Sequence, residues 1–231
     1  MNSINYQNFK LFYEGNVNLL NKPKIAIVGT RKATKYSKEI TKILAKTLSK
    51  KYVIISGGAL GIDTCAHKAA FPNTILVSPA SIDIIYPKNN ANLIKEIKEK
   101  ALLISEYEKN FTPYKHTFLQ RNRIIIALSE FVIIPEANLN SGSMNSFKWA
   151  KEFNKKVFVI PQRLTESSGT RYMARNGAEV IWDIDEFLKQ FELENNEKIL
   201  TLNEALKKYG NTLYEMELEG KVEIKNGKVY F

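Results

Sequence analysis

The sequence predicts an α/β fold, and three observations carry that expectation. Short apolar runs recur from Lys24 onward, each bounded by glycine, proline or polar turn residues. Between them lie segments such as Tyr36 to Lys51, where Ile40, Ile43, Leu44 and Leu48 stand at the spacing of one helix face. Several runs also end in a glycine- or serine-rich turn that opens directly onto such a segment, the beginning of a strand–turn–helix unit. The pattern implies an extended Rossmann-like parallel sheet flanked by helices. A shorter C-terminal stretch of different character implies a small winged-helix-like module. Residues 1–22 form an N-terminal arm, 23–191 the main domain and 192–231 the module.

Composition bounds the function. A chain of 231 residues can bury a core without staples, and its single cysteine, Cys65, excludes an internal disulfide framework and favours a reducing cytoplasm. No stretch is long and apolar enough for a transmembrane span, and the first ten residues carry no secretory signal pattern. With only His67 and His116 beside that cysteine, a zinc site of imidazole and thiolate ligands lacks donors, and no metal or cofactor is expected. The formal net charge is +10, and it is unevenly spread. Residues 191–231 hold six Lys against eight Glu, which leaves 28 basic and 16 acidic residues, a net of +12, in residues 1–190. That asymmetry points to a polyanionic partner for the main domain. A lysine-rich surface serving solubility gives the same totals.

In order, residues 1–22 carry Phe9, Leu11, Phe12 and Tyr13, enough to pack on a domain with one helical turn. The first strand, Ile25 to Val28, runs into Gly29-Thr30-Arg31, and the helix after it presents Lys38, Lys42, Lys46 and Lys50 as one row. Such a row is also what a solvated helix face looks like. A second strand, Tyr52 to Ile55, ends in Ser56-Gly57-Gly58-Ala59-Leu60-Gly61-Ile62-Asp63, where three glycines allow close backbone approach by a ligand. Asp63 caps or orients that loop rather than reacting. Strands follow at Thr74 to Val77 and Ala101 to Ile104, separated by a turn through Pro79 and Pro87 and a helix from about Asn90 to Lys100.

An exposed loop, Glu108 to Thr117, leads to a helix over Phe118 to Ser129. Arg121 and Arg123 fall near its start, against the macrodipole, a placement better explained by a bound anion. Strand Phe131 to Ile134 gives way to a turn ending in Ser141-Gly142-Ser143, whose hydroxyls and unhindered N–H groups at a helix start suit phosphate. Strand Val157 to Ile160, a helix with Arg171 and Arg175, a short strand Glu179 to Trp182 and a helix Asp185 to Phe191 close the domain. The tail reads as helices Thr201 to Tyr209 and Thr212 to Glu219 and a hairpin from Val222 to Phe231 around Asn226-Gly227. Glu215, Glu217 and Glu219 make its second helix acidic, which argues against a major-groove role.

Taken together, Gly29-Thr30-Arg31, the Ser56 to Asp63 turn, Ser105-Glu106-Tyr107, Arg121-Asn122-Arg123-Ile124-Ile125 and Ser141-Gly142-Ser143 match one family in order and spacing. Over residues 23–183 the chain resembles the DNA-processing protein A (DprA or Smf) family, and Leu218-Glu219-Gly220-Lys221-Val222 is similar to the end of that family's winged-helix module. The resemblance implies a non-enzymatic, cytoplasmic homodimer that binds single-stranded DNA in natural transformation, protects it and helps load a RecA-type recombinase. It also implies a DNA pocket at the carboxyl edge of the sheet, with Gly29, Arg31, Gly57, Gly58, Lys115, Phe118, Arg121, Arg123, Ser141, Gly142 and Ser143 in the matching positions. The second turn departs from the family's Ser-Gly-Leu-Ala-Arg-Gly-Ile-Asp: Gly58 replaces leucine and Leu60 the arginine, so one cation is missing.

The residues agree with that expectation. Arg31, Lys115, Arg121 and Arg123 supply charge for a strand backbone, and Phe118 or Tyr114 supplies a ring for a base. Glu106 and Glu108 form the one imaginable metal pair, but basic neighbours and the lack of a His or Asp cluster argue against a nuclease. The alternative is a nucleotide-binding or nucleotide-processing enzyme of the lysine-decarboxylase-like phosphoribohydrolase group, whose Pro-Gly-Gly-x-Gly-Thr loop does not occur here.

Overall fold

A computed structural model describes residues 2–193 and 199–230. Among these, one sheet of nine strands dominates, built from β1 (Asn2–Tyr6), β2 (Phe9–Gly15), β3 (Lys24–Ile27), β4 (Val53–Ser56), β5 (Thr74–Val77), β6 (Leu102–Ser105), β7 (Phe131–Ile134), β8 (Lys156–Val159) and β9 (Glu179–Val180). The helices are α1 (Lys35–Leu48), α2 (Ile62–Ala70), α3 (Ala91–Lys100), α4 (Lys115–Ala127), α5 (Gly142–Glu152), α6 (Ser168–Arg175) and α7 (Ile184–Lys189).

The sheet order is β1-β2-β6-β5-β4-β3-β7-β8-β9, and every pairing from β6 across to β9 is parallel. Successive residues of the central strands feed opposite layers, as a period of two requires. Ile25 and Ile27 of β3, Phe131 and Ile133 of β7 and Phe158 of β8 pack into the layer under α1, α2 and α7. Ala26, Val132, Ile134, Val157 and Val159 pack into the other layer, with Ile94 and Ile97 of α3, Ile124 and Ile125 of α4 and Phe147 of α5. Strands buried on both faces read as unbroken apolar runs, which is why they are visible in the sequence.

From β3 the chain winds outward through β4, β5 and β6, then returns to place β7 on the other side of β3. The carboxyl ends of β3 and β7 are therefore a topological switch point, where the diverging connections leave a crevice.

Three expectations need correction. The N-terminal arm is not loose packing with a single turn: β1 and β2 form an antiparallel hairpin, and β2 pairs antiparallel with β6, so the sheet is mixed at this edge. The expected helical turn is a 3-10 helix, Val17–Asn21. Second, α4 begins at Lys115, so the expected loop from Glu108 to Thr117 is shorter and Arg121 lies in the second turn rather than at the helix start. The macrodipole argument for these arginines therefore fails. Third, the tail adds a strand: β10 (Ile199–Thr201) precedes α8 (Leu202–Tyr209), α9 (Thr212–Leu218), β11 (Glu223–Lys225) and β12 (Lys228–Tyr230). These strands form a sheet in the order β10-β12-β11, with Ala205, Leu213, Val222 and Val229 as its small core. Asn226 and Gly227 both take positive φ, as the tight hairpin turn demands. Positions 194–198 and Phe231, which the module and hairpin were expected to include, lie outside the described residues.

The hairpin is anchored by a buried cation. Lys24 is 5% exposed, and its Nζ donates to the carbonyls of Leu20 and Lys22, both at 2.7 Å, and to Tyr6 Oη at 3.2 Å. Lys24→Met keeps the stem but removes the ammonium from Lys22 O and Tyr6 Oη, while Leu20 O keeps only the Tyr6 hydroxyl. Urea denaturation is expected to show a loss of about 2–3 kcal/mol, and a loss below half of that would show that the anchor contributes little.

Candidate functional site

The crevice between the β3 and β7 connections holds a cavity of about 320 Å³. Its first wall is the turn after β3. Val28 N donates to Ile133 O at 3.1 Å and Thr30 N to Glu136 O at 2.9 Å, which laces this turn to the one after β7. Glu136 is buried, and its Oε2 accepts from Thr34 N at 2.8 Å and Thr34 Oγ1 at 2.9 Å, fixing the entry to α1. A Cβ at Gly29 would stand 2.6 Å from Ile62 Cγ1, so only glycine lets α2 approach. With the backbone pinned on both sides, Arg31 projects outward; its guanidinium lies 5.6 Å from the Phe118 ring centroid.

The second wall is built around a buried guanidinium. Arg121 is 5% exposed, and its Nη1 donates to Val77 O at 2.7 Å. A Cβ on Gly57 would lie 2.0 Å from that Nη1, so Gly57 is the space the guanidinium occupies. Arg121 Nε has no hydrogen-bond partner among the described residues. Burial depresses the Arg121 pKa to about 10, against the opposing pull of Asp63. Asp63 Oδ1 accepts from Gly29 N at 3.4 Å, orienting the loop as expected. Burial pushes its carboxyl up to about 6, although Arg121 and the amides of Gly29 and Ala59 favour the charge.

His67 stands behind this loop, wholly buried, with Nε2 2.6 Å from Gly57 O and Nδ1 2.7 Å from Thr74 Oγ1. A carbonyl can only accept, so Nε2 carries the proton and donates to Gly57. Burial lowers the His67 pKa to about 4, which keeps the ring neutral at pH 7.

The third wall is the start of α5. Ser141 caps it, Gly142 has no atom within 4 Å of where a Cβ would be, and Ser143 is buried at the floor. Ser141 Oγ is buried without a partner among the described residues. The free N–H groups and positive pole of the helix converge with that hydroxyl on the cavity. Adjoining it, Gly58, Leu60, Pro79, Tyr86 and Pro87 line a narrower slot of about 80 Å³, sharing Arg31, Phe118 and Arg121 with the cavity. Tyr86 meets Phe118 edge to face, with centroids 5.5 Å apart.

Of the sequence-derived residues, Gly29, Arg31, Phe118, Arg121, Ser141, Gly142 and Ser143 line the cavity and Gly58 lines the slot. Gly58 has room for a side chain, the nearest atom to a Cβ being 3.4 Å away, so the local packing does not demand glycine there. Gly57 lies behind Arg121. Lys115 is exposed on the first residue of α4, outside the cavity lining. Arg123 turns elsewhere, pairing with Glu106 and lying 5.1 Å over the Phe9 ring of β2. Lys32, Asn122, Asn138 and Ser146 also line the cavity and went unrecognised. So did Glu136 and His67: Glu136 acts 102 residues from Thr34, and no local pattern announces such a contact. Among the described residues, no group of three or more His, Cys, Asp or Glu gathers as metal ligands.

This geometry coincides with a family assignment. The model of the DNA recombination-mediator protein A family matches residues 1–192. The chain belongs to that family. It is 38% identical over 187 residues to the DNA processing protein DprA of Streptococcus pneumoniae, covering 79% of this chain and 66% of that one. A DprA structure from Helicobacter pylori, described for its single-stranded DNA binding mode, is 46% identical with a TM-score of 0.80, covering 83% of this chain and 95% of that one. The crystal structure of the S. pneumoniae protein follows at 39% identity and a TM-score of 0.71, covering 74% and 62%. The chain spans 66% or less of the curated DprA and Smf relatives it matches. No helix among the described residues is long and apolar enough to cross a membrane.

The two buried titratable groups oppose each other in pH dependence. Asp63, raised to about 6 from 3.8, holds its proton longer in the folded state, so its contribution to stability is present in acid and lost as pH rises through about 6. His67, lowered to about 4 from 6.5, contributes stability that is present above 6.5 and lost as pH falls toward 4. Each effect is on the order of 3 kcal/mol, and they nearly cancel. Asp63→Asn is therefore expected to unmask the His67 slope: its stability should fall more steeply than wild type as pH drops from about 6 to about 4. Parallel wild-type and variant curves in denaturant titrations would contradict the buried, raised carboxyl.

Proposed function

We propose that the chain is a single-stranded DNA-binding protein of natural transformation that protects incoming DNA and helps load a RecA-type recombinase. It works as a cytoplasmic homodimer and by binding alone, with no bond made or broken in the DNA. One observation carries this reading: at the switch point an exposed guanidinium over an aromatic ring faces a helix start with an unpartnered buried hydroxyl. Single-strand sites need that combination, cations and amides for the phosphates and a ring for a base. The adjoining apolar slot between Tyr86 and Phe118 gives a base a place to leave water. The single-stranded DNA binding of the H. pylori relative supports the choice of ligand, and family membership supports the transformation role. Arg31 is the principal phosphate contact, Phe118 the stacking surface, and Ser141, Gly142 and Ser143 the phosphate cradle. Arg121 shapes the pocket and lends long-range charge, and Arg123 secures the N-terminal hairpin.

Titration of a labelled oligothymidylate across salt concentrations tests this reading. The expected log–log slope is roughly −2, from about three neutralised phosphates at about −0.7 each, with weaker binding of duplex. A flat salt response, or preference for a mononucleotide, would instead point to the phosphoribohydrolase-type alternative. Arg31→Ala is expected to weaken binding about tenfold for all base compositions and to reduce the slope by about 0.7. Unchanged binding by a folded Arg31→Ala protein would place the phosphate contact elsewhere.

A further inference from the structure

The segment joining β6 to α4 and the first turn of α4 together carry four rings that line neither the cavity nor the slot. Tyr107 and Phe111 stack with centroids 4.0 Å apart and planes within 4°. Phe111 meets Tyr114 edge to face at 5.9 Å, and Tyr114 and His116 lie parallel within 2° at 5.9 Å. The rings thus touch in sequence as a continuous ladder. Its outer rungs face water, with Tyr114 56% exposed and His116 also exposed.

Local folding does not require those outer rings. The turn into α4 is closed by backbone and hydroxyl groups: Tyr114 N donates to Thr117 Oγ1 at 3.1 Å, and Thr117 Oγ1 donates to Tyr114 O at 2.8 Å. Any residue but proline at position 114 keeps both bonds. Single exposed rings are unremarkable, but an ordered row of them on the surface marks an interaction site.

Charge selects the partner. Lys115 stands exposed between the two outer rings and makes no ion pair among the described residues. The nearby carboxylates are engaged: Glu106 pairs with Arg123, Glu108 lies 3.6 Å from Lys10, and Asp83 accepts from Asn110 N at 3.2 Å. Rings interleaved with an uncompensated ammonium suit a strand whose bases are unstacked. Tyr114 is the cap residue just before α4, and Phe118 stands in the first turn of that helix. The ladder therefore begins one turn from the ring shared by the cavity and the slot.

We propose that this ladder is a stacking track for single-stranded DNA leaving the pocket, so that the bound segment extends along the β6–α4 connection over Tyr114 and His116. The inference rests on the reading of the pocket as a single-strand site.

Two oligothymidylates test it, one of about four nucleotides that only the pocket can hold and one of about sixteen. Tyr114→Ala combined with His116→Ala should bind the short strand as wild type does and the long strand about tenfold more weakly. Tyr114→Phe should bind both normally. The unsubstituted protein provides a second readout: of its two histidines only His116 is exposed, and its ring protons should shift in NMR spectra on adding the long strand but not the short one. Equal loss at both lengths would make the rings mere supports for Phe118. No loss at either length, or unmoved His116 resonances, would assign the ladder to a protein partner. Failure of the unsubstituted protein to bind either strand would overturn the pocket reading together with this one.

Discussion

The carboxyl edge of the sheet depends on burying one guanidinium. Arg121 lies almost out of water, with one nitrogen on Val77 O, Gly57 pressed against it and Asp63 close enough to act on its charge. An unpaired charge there would be very costly, so its surroundings are specified tightly. The glycine turn after β4 must carry no side chain at position 57, and His67, kept neutral by burial, holds the Gly57 carbonyl through its Nε2–H. Asp63 must sit where it both balances Arg121 and accepts from Gly29. Through these contacts the buried cation positions the turn that presents Arg31. A residue that looks like a ligand contact in the sequence is, in the fold, mainly the post on which the neighbouring turns hang.

This division explains what was legible in the sequence. The parallel strands were readable because burial on both faces leaves continuous apolar runs, and Thr74–Val77 and Phe131–Ile134 fall where expected. The turns at Gly29, Gly57 and Ser141 to Ser143 were readable because backbone approach restricts residue type. The N-terminal hairpin was not. Its strands have one face partly in water and Lys10 and Glu14 within β2, and their partner, β6, lies some ninety residues away, so only the tertiary pairing reveals them. The start of α4 was also misplaced. Its first turn is polar, and the Thr117 hydroxyl closes it through bonds that an apolar periodicity does not register.

The site itself divides along the same line. Charged and glycine residues announced themselves by type, but type does not say which way a side chain points. Arg121 and Arg123 stand two apart on one helix and therefore face different directions. One enters the core behind the pocket, while the other pairs with Glu106 and covers Phe9. Glu136, which laces α1 to the turn after β7, is indistinguishable in the sequence from a loop carboxylate.

The distribution of charge has a kinetic meaning. Because the tail is net acidic, the α/β part carries more than the whole chain's excess of basic residues, yet Arg31, Lys32 and Arg121 are the only cations lining the cavity among the described residues. Most lysines stand elsewhere; Lys38 and Lys42 are exposed along α1 and Lys50 just past its end. At physiological salt the screening length is about 8 Å, so such charges act on an approaching strand as a field and not as contacts. On the proposed function, Arg31 together with the neutral donors and rings of the pocket, which salt does not screen, governs how slowly the strand leaves. On that reading, capture is spread over a basic surface and retention is concentrated at one edge of one sheet. A binder of anonymous strands gains from that separation, because neither a phosphate cradle nor a ring face asks which base it holds.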